Sequence, residues 1–514
     1  MKLTNLFFFI ILFCFVILIV LPVFYIIIWI PLWNFEFNIF ELRHIGLIRN
    51  SFNIAIGTSL SSLLIGVLTA FFIFDSQKYR KLFLIFCVIP IIIPTYIHAI
   101  VWNHLSIYIQ HVGLDLHSIA GAIFILTLSY YSYIALLVYS GLENIDRNLI
   151  EAALLSSDRH TTLFKIILPL IFPHIFSGFI FVFIFSIIDF GVPDMLRLNV
   201  YPIEIFIQFS AFYNLKAAVT LSFPIIFFTV LFIFCQKIYM KNRSYIQIFG
   251  GIQTKSPTFF KSHIWMFIAP VFFCSSFLPI IVLIIKSGDF SNYLMVWSSS
   301  KNQLFYSIFI STISAMCILV FSFFIAYLIE RLDYGLINNI IYTLSIIPLA
   351  IPATTVGICM IYIWNQPIID FAYSNSLIII FGYILRFIPF GVMIMVSGLK
   401  TVNQNLEESA LLINSSRLSI LYNITLPLLK PYLFVGFILI FILSFGELGT
   451  TVLILPPGCE TIPVKIYNLI HYGAYEMVSA LCLIFIFIII VVSGVFIFLY
   501  KKLFRKLSFY DRSY

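Results

Sequence analysis

Residues 151–157 read Glu151-Ala152-Ala153-Leu154-Leu155-Ser156-Ser157 and run through Ile167 to Leu168-Pro169; residues 408–414 read Glu408-Ser409-Ala410-Leu411-Leu412-Ile413-Asn414 and run through Thr425 to Leu426-Pro427. The correspondence extends on both sides at a shift of 256 to 258 positions. Gly141-Leu142 matches Gly398-Leu399, Asn148-Leu149 matches Asn405-Leu406, and Pro173 matches Pro431. Gly178-Phe179 matches Gly436-Phe437, Ser186 matches Ser444, Asp189 matches Glu447, and Gly191 matches Gly449. Nearer the N-terminus, Pro90 and Pro94 match Pro348 and Pro352. The chain is a tandem repeat, and its two halves are expected to share one architecture.

The 514 residues are 62% hydrophobic and 10% charged, with a mean hydropathy of +1.10. A soluble domain carries roughly 25% charged residues, so a soluble fold is excluded. The apolar runs last twenty residues or more instead of alternating over about ten, which selects membrane helices over a β-barrel. Such runs fall at about 6–30, 50–74, 82–103, 118–142, 172–193, 217–236, 264–285, 304–329, 339–364, 375–399, 432–455 and 477–500. The first, behind Lys2, exceeds the roughly 7–15 residues of a signal-peptide core and precedes no small-x-small cleavage site, so it reads as a retained helix. The polar stretch with Gly250, Gly251 and Pro257 divides the twelve spans six and six. The expected organisation is a six-helix half over 1–240, a cytoplasmic linker over 241–262 and a second half over 263–514.

Placing the N-terminus inside puts 21 of the 29 Lys and Arg residues in cytoplasmic loops and tails, seven outside, and Arg386 alone within a span. That is the positive-inside pattern, and it accounts for the net charge of +8 without nucleic acid as a partner. Trp29, Trp33, Trp102 and Trp364 lie at outer ends and Trp265 at an inner one, where amphipathic rings prefer to sit. An even number of spans per half makes the repeat parallel, with a pseudo-twofold axis along the membrane normal and a central pathway as its natural consequence.

Eight cysteines show no metal-ligand spacing and read as small hydrophobes. The chain has no Gly-Lys dipeptide, hence no phosphate-cradling Walker A loop. Asp189 and Glu447 lie about 17 residues into spans five and eleven, about 25 Å from the cytoplasmic side at the helical rise, near the outer mouth. They are candidates to line the pathway or to clamp an outer gate, or else to cap or pair locally. Arg386, near mid-membrane, calls for a counter-charge, with Glu447 one candidate, and is otherwise a third pathway candidate that would contact the solute. Pro90, Pro94, Pro348 and Pro352 interrupt spans three and nine and are expected to kink them.

The two quoted loops resemble the EAA loop of ABC importer permeases: a glutamate, two small residues, a glycine, then an apolar residue and Leu-Pro about twenty positions on. The resemblance implies that Glu151, Ala152, Ala153, Ser157 and Pro169, with Glu408, Ser409, Ala410, Asn414 and Pro427, seat a separate ATPase subunit. Small residues suit close backbone approach, and a glutamate offers a charged anchor. Ser157 and Asn414 stand where the family has glycine, and the first copy is one residue shorter. Serine tolerates a left-handed turn poorly, so docking in the first half is expected to differ in detail.

The whole chain is similar to the fused permeases of ferric-iron importers, which have thiamine and phosphonate relatives. Glu447-Leu448-Gly449-Thr450-Thr451, Leu455-Pro456-Pro457-Gly458, Ile466-Tyr467, His471-Tyr472-Gly473 and Asp189-Phe190-Gly191 carry that likeness. It implies a type I ABC importer permease fold in a bacterial inner membrane, multi-pass, with both termini cytoplasmic. It implies as partners two copies of a cytoplasmic ATPase, which would hold ATP and Mg, and a periplasmic binding protein that selects the solute; no cofactor or covalent chemistry is expected on this chain. A twelve-helix secondary transporter is the rival of another class, but its Gly-x-x-x-Asp-Arg-x-Gly loop is absent after span two, which reads Asp75-Ser76-Gln77-Lys78. A membrane-embedded enzyme would need a catalytic set at one depth, and none is legible.

Overall fold

The computed structural model describes residues 12–26, 41–76, 78–111, 113, 115–241, 265–332, 335–412 and 416–505. The 242–262 part of the expected linker lies outside them, as do Trp29, Trp33 and Asn414. The described residues form helices and connecting turns, with no strand.

The first helix, α1, is described over Leu12–Phe24. Then follow α2 (Leu42–Asp75), α3 (Arg80–Ile92), α4 (Thr95–Gln110) and α5 (Ile119–Glu143). After a short helix α6 (Arg147–Ser156) come α7 (Arg159–Ile187), two further short helices α8 (Gly191–Met195) and α9 (Tyr201–Ser210), and α10 (Leu215–Lys241). The second repeat mirrors this order: α11 (Trp265–Lys286), α12 (Phe290–Arg331), α13 (Leu336–Ala350), α14 (Ala353–Trp364) and α15 (Leu377–Thr401). It ends with α16 (Gln404–Leu412), α17 (Leu418–Phe445), the short α18 (Thr451–Ile454) and α19 (Ile462–His471), and α20 (Tyr475–Arg505). Nine described helices are long and apolar enough to cross a membrane, and the pairs α3–α4 and α13–α14 bring the number to 11 if each is one span.

Those two pairs carry the kinks expected in spans three and nine, as full breaks between helices. α3 and α4 meet at 89° and α13 and α14 at 111°. The cause is local: a residue before proline is pushed out of the helical region, and Ile93 (φ −89°, ψ 111°) and Ile351 (φ −94°, ψ 126°) are extended just ahead of Pro94 and Pro352. Each proline then opens the next helix, where its missing N–H costs nothing.

A second proline device recurs four times among the described residues. Each of the Leu-Pro pairs at Leu21, Leu168, Leu278 and Leu426 follows a wide turn in which the leucine N–H reaches five residues back. A proline ring would collide with the carbonyl four residues before it, and widening the turn relieves the collision.

Packing groups the chain into two compact units that do not follow chain order. One holds α1, Gln208–Thr220 and the chain from Asp289 on; the other holds Asn38–Ile207 and Leu221–Gly288. In the former, α1 lies on α14: Tyr25 stacks on Tyr362 at 4.8 Å, and the Cys359 thiol meets the Pro22 carbonyl at 3.5 Å. In the latter, α11 enters the core of the first repeat. Ile268 and Phe272 join Ile73, Phe83, Cys87, Tyr131 and Ala135 in one buried cluster, and the Ser276 hydroxyl donates to the Phe86 carbonyl at 3.0 Å. The first span of each repeat is thereby exchanged onto the other repeat's core.

Between lipid-bathed helices there is no hydrophobic drive, so association depends on close packing. Gly66 shows how close: a Cβ there would lie 2.8 Å from Ile134 Cβ and 2.9 Å from the Tyr131 carbonyl oxygen. Backbone cannot yield at that distance, so Gly66→Val is expected to part α2 from α5 and cost about 1–3 kcal/mol. Thermal unfolding in detergent checks this; an unchanged midpoint would contradict the packing.

Candidate functional site: two short exposed helices and two capping carboxylates

The loop sequences fold into short helices because each begins with a capping signal. The Asp146 carboxylate accepts the Asn148 N–H at 2.9 Å to open α6, and the Asn403 side chain accepts the Asn405 N–H at 3.0 Å to open α16. Glu151 and Ala152 are exposed and Ala153 is buried; Glu408 and Ser409 are exposed and Ala410 is half-buried. Pro169 and Pro427 stand just past the wide turns that lead from each docking helix into α7 and α17.

Ser157 departs from the left-handed turn expected of the family's glycine. Its backbone is extended (φ −149°, ψ 165°), a conformation any residue adopts. Its hydroxyl donates to the Ala153 carbonyl at 2.9 Å and meets the Thr162 hydroxyl at 3.0 Å, so the serine ends the helix by hydrogen bonding.

Sequence reasoning passed over the leucines beside the glutamates. Leu155 is 91% exposed and Leu412 87%, and Leu149 and Leu406 are also exposed. At a spacing of three, Leu149, Ala152 and Leu155 share one side of α6, and Leu406, Ser409 and Leu412 share the matching side of α16. α6 and α16 thus each present an exposed glutamate next to exposed leucines. The signal lay in the repeat, since both leucine positions recur at the same shift.

At the far ends of α7 and α17, Asp189 and Glu447 lie beyond the helices that were expected to contain them. α7 ends at Ile187 and α17 at Phe445, and each acid stands in the break before the next short helix. Asp189 Oδ1 accepts the Val192 N–H at 2.9 Å, and Glu447 Oε1 accepts the Thr450 N–H at 2.8 Å. Both carboxylates therefore satisfy a backbone donor three residues on, as an N-cap does.

Their second oxygens differ. Asp189 Oδ2 accepts the Thr95 hydroxyl at 2.9 Å and the Tyr130 hydroxyl at 3.0 Å. Glu447 Oε2 accepts Arg386 Nε at 2.8 Å, the counter-charge expected for that arginine. Each acid reaches the bent hairpin of its own half. Thr95 opens α4, whereas in the second half Thr450, held by Glu447, donates its hydroxyl to the Ala353 carbonyl at 3.1 Å. Thr95 and Ala353 are equivalent at a shift of 258. The docking residues and the acids remain separate sets.

Arg386 and Glu447 are largely buried, so removing one partner strands the other's charge. Arg386→Met is expected to cost about 3–5 kcal/mol, and adding Glu447→Gln to recover most of it. Melting of both variants in the same detergent decides; equal losses would show that the charge pairing is not what matters there.

Residues 62–244 and 318–509 each match the family described as binding-protein-dependent transport system inner membrane component. The Fe(3+)-transport system permease protein FbpB 2 of Haemophilus influenzae is 22% identical over 487 residues, 90% of this chain and 91% of that protein. The ferric transport system permease protein FbpB of Actinobacillus pleuropneumoniae is 24% identical over 377 residues, 68% of this chain but only 54% of that protein. The molybdenum transport system permease protein ModB of Escherichia coli is 28% identical over 198 residues, 35% of this chain and 83% of that protein. With both repeats matched and membrane helices throughout, the chain belongs to the family of binding-protein-dependent inner membrane transport components.

Proposed function

We propose that this permease imports ferric iron, handed to it by a periplasmic binding protein and driven by two copies of a cytoplasmic ABC ATPase seated on α6 and α16. The observation that carries the solute is the end-to-end likeness to a ferric-iron permease of nearly the same extent. The ATPase reading is supported by the two equivalent helices, each presenting an exposed glutamate and an exposed leucine ridge. ATP and Mg would belong to that partner, and both termini of this chain would lie in the cytoplasm beside it.

In this reading, ATP-driven closure of the ATPase pair draws on both docking helices, and the wide Leu-Pro turns pass the displacement to α7 and α17. Asp189 and Glu447 stand at the far ends of those same helices, Asp189 bonded to the bent hairpin of its half through Thr95 and Glu447 joined to its own by way of Thr450. They are the outer latches that such a displacement would load, and Asp189, half-buried and acidic, is the one suited to meet a cation as it passes.

Uptake of radiolabelled ferric iron in a deletion strain complemented with this chain tests the proposal, with thiamine and a phosphonate in parallel. Glu151→Lys with Glu408→Lys is expected to abolish uptake while the protein remains in the membrane, since reversed charge repels a basic anchor site at the ATPase. Full uptake by that variant would overturn the docking assignment; uptake of thiamine or phosphonate instead of iron would overturn the solute. Asp189→Asn with Glu447→Gln is expected to lower uptake at least tenfold, about 1.4 kcal/mol of barrier, without loss of protein from the membrane. Unchanged uptake would reduce both acids to local caps.

A further inference from the structure

Along the last turns of α7, the residues that keep accessible surface recur at every fourth position. From Phe181 to Asp189 every residue is buried except Phe181, Phe185 and Asp189, which are half-buried, and Ser177 continues the row one turn further from the acid. At 1.5 Å per residue the row from Ser177 to Phe185 is about 12 Å long. On α5, over residues 125–135, Tyr133 alone is not buried.

The two helices bring these side chains together. The Phe181 and Phe185 ring centroids are 4.4 Å apart, and Tyr133 lies 5.4 Å from Phe181 and 5.9 Å from Phe185. Tyr130 lies 5.8 Å from Phe185 and donates its hydroxyl to Asp189 Oδ2 at 3.0 Å. Four rings thus form a column with a carboxylate at one end, all within one compact unit.

The column is unlike a filled helix contact. Phe183, on the opposite side of α7, is 0% exposed and packs on Phe52 at 5.7 Å and on Phe232 at 4.4 Å, as rings do when they only fill space. Nor is it a lipid face, because an ionisable side chain in a membrane helix turns to the bundle interior or to enclosed water. A row that is half open, aromatic and headed by an acid has the form of a passage wall.

Acid and rings together suit a cation. The negative face of an aromatic ring attracts a cation within about 6 Å of its centroid. A metal cation that keeps its inner waters turns their O–H bonds outward, and carboxylate, phenol oxygen and ring face all accept such bonds. Several weak contacts in line let a cation enter and also leave. We propose that Asp189 gathers a hydrated cation and that the rings of Tyr130, Tyr133, Phe185 and Phe181 pass it along α7 to Ser177. The proposal deepens the ferric-iron reading, on which it rests, by naming the wall of the path in the first half.

Cysteine labelling of the full chain, in membrane vesicles open to reagent on both faces, tests the wall without reference to the solute. With the eight native cysteines replaced, Phe181→Cys and Phe185→Cys are expected to react with a charged, membrane-impermeant thiol reagent, and Phe183→Cys to stay unlabelled. With each rate divided by that of a free thiol, Phe185→Cys is expected to favour a cationic over an anionic reagent about fivefold, and to lose that preference when Asp189→Asn is added. Uptake of radiolabelled ferric iron, in the chain with its native cysteines, decides the matter if the replacements prevent folding. F181L/F185L, which installs the leucines that the second half has at 439 and 443, is expected to lower uptake about fivefold with the protein still in the membrane, and F181Y/F185Y, which keeps both rings, to retain most of it. Silence at both Phe181→Cys and Phe185→Cys, or equal labelling of Phe183→Cys, would overturn the wall. Unchanged uptake in F181L/F185L, or an equal loss in F181Y/F185Y, would overturn the role of the rings. Failure of the iron assignment shows separately, as no iron uptake by the wild type, and the labelling pattern then still decides the wall.

Discussion

Inside hydrocarbon every backbone N–H and C=O must find its partner within the protein, and each feature that sets this chain apart from a plain bundle is a place where a helix stops meeting that demand by itself. At Pro94 and Pro352 the chain turns through 89° and 111°, and the proline supplies a helix start that has one fewer donor to satisfy. At the four Leu-Pro pairs the helix widens by one residue and keeps its bonding unbroken. At the outer ends of α7 and α17, where helix bonding ceases altogether, a carboxylate takes the N–H of the next short helix. The bends, the bulges and the acids are answers to one requirement.

Because the repeat is duplicated, each answer appears twice, and the differences between copies separate scaffold from adaptation. The serine on a long helix that accepts the first N–H of the outer helix is kept: Ser51 serves Tyr201 at 3.0 Å and Ser307 serves Ile462 at 2.8 Å. The acidic cap at Asp189 and Glu447 is kept as well. What varies is the partner of the second oxygen, hydroxyls in one half and a guanidinium in the other. In the second half Arg331 Nε also donates to the buried Glu407 at 2.8 Å, where the register of the repeat puts Asp75 and Ile150 in the first half.

Much of the architecture was legible before any coordinate. Run length and low charge selected membrane helices, and the repeat located the paired short helices α6 and α16 and the two acids. The arginine in span ten called for a counter-charge, and Glu447 provides it at 2.8 Å. That Asp189 and Glu447 stand past the helix ends was not legible, because an apolar run does not reveal where helical bonding ends inside it. The conformation at Ser157 was misjudged because a glycine in relatives was taken to mean a left-handed turn, whereas the backbone there is extended. Glu407 drew no notice because Glu408 beside it carries the motif, and only burial distinguishes the two.

Sequence alone determined the solvent, the number of repeats, their parallel sense and the place of the paired short helices, because these follow from hydropathy, charge and periodicity, which are properties of local stretches. Tertiary structure decided which helices pack together, exchanging α1 and α11 between the repeats' cores, and it decided which of two adjacent glutamates is buried against an arginine 76 residues away. Those outcomes depend on close fit between distant surfaces and on the cost of leaving a charge unpaired, and neither is written in any single segment.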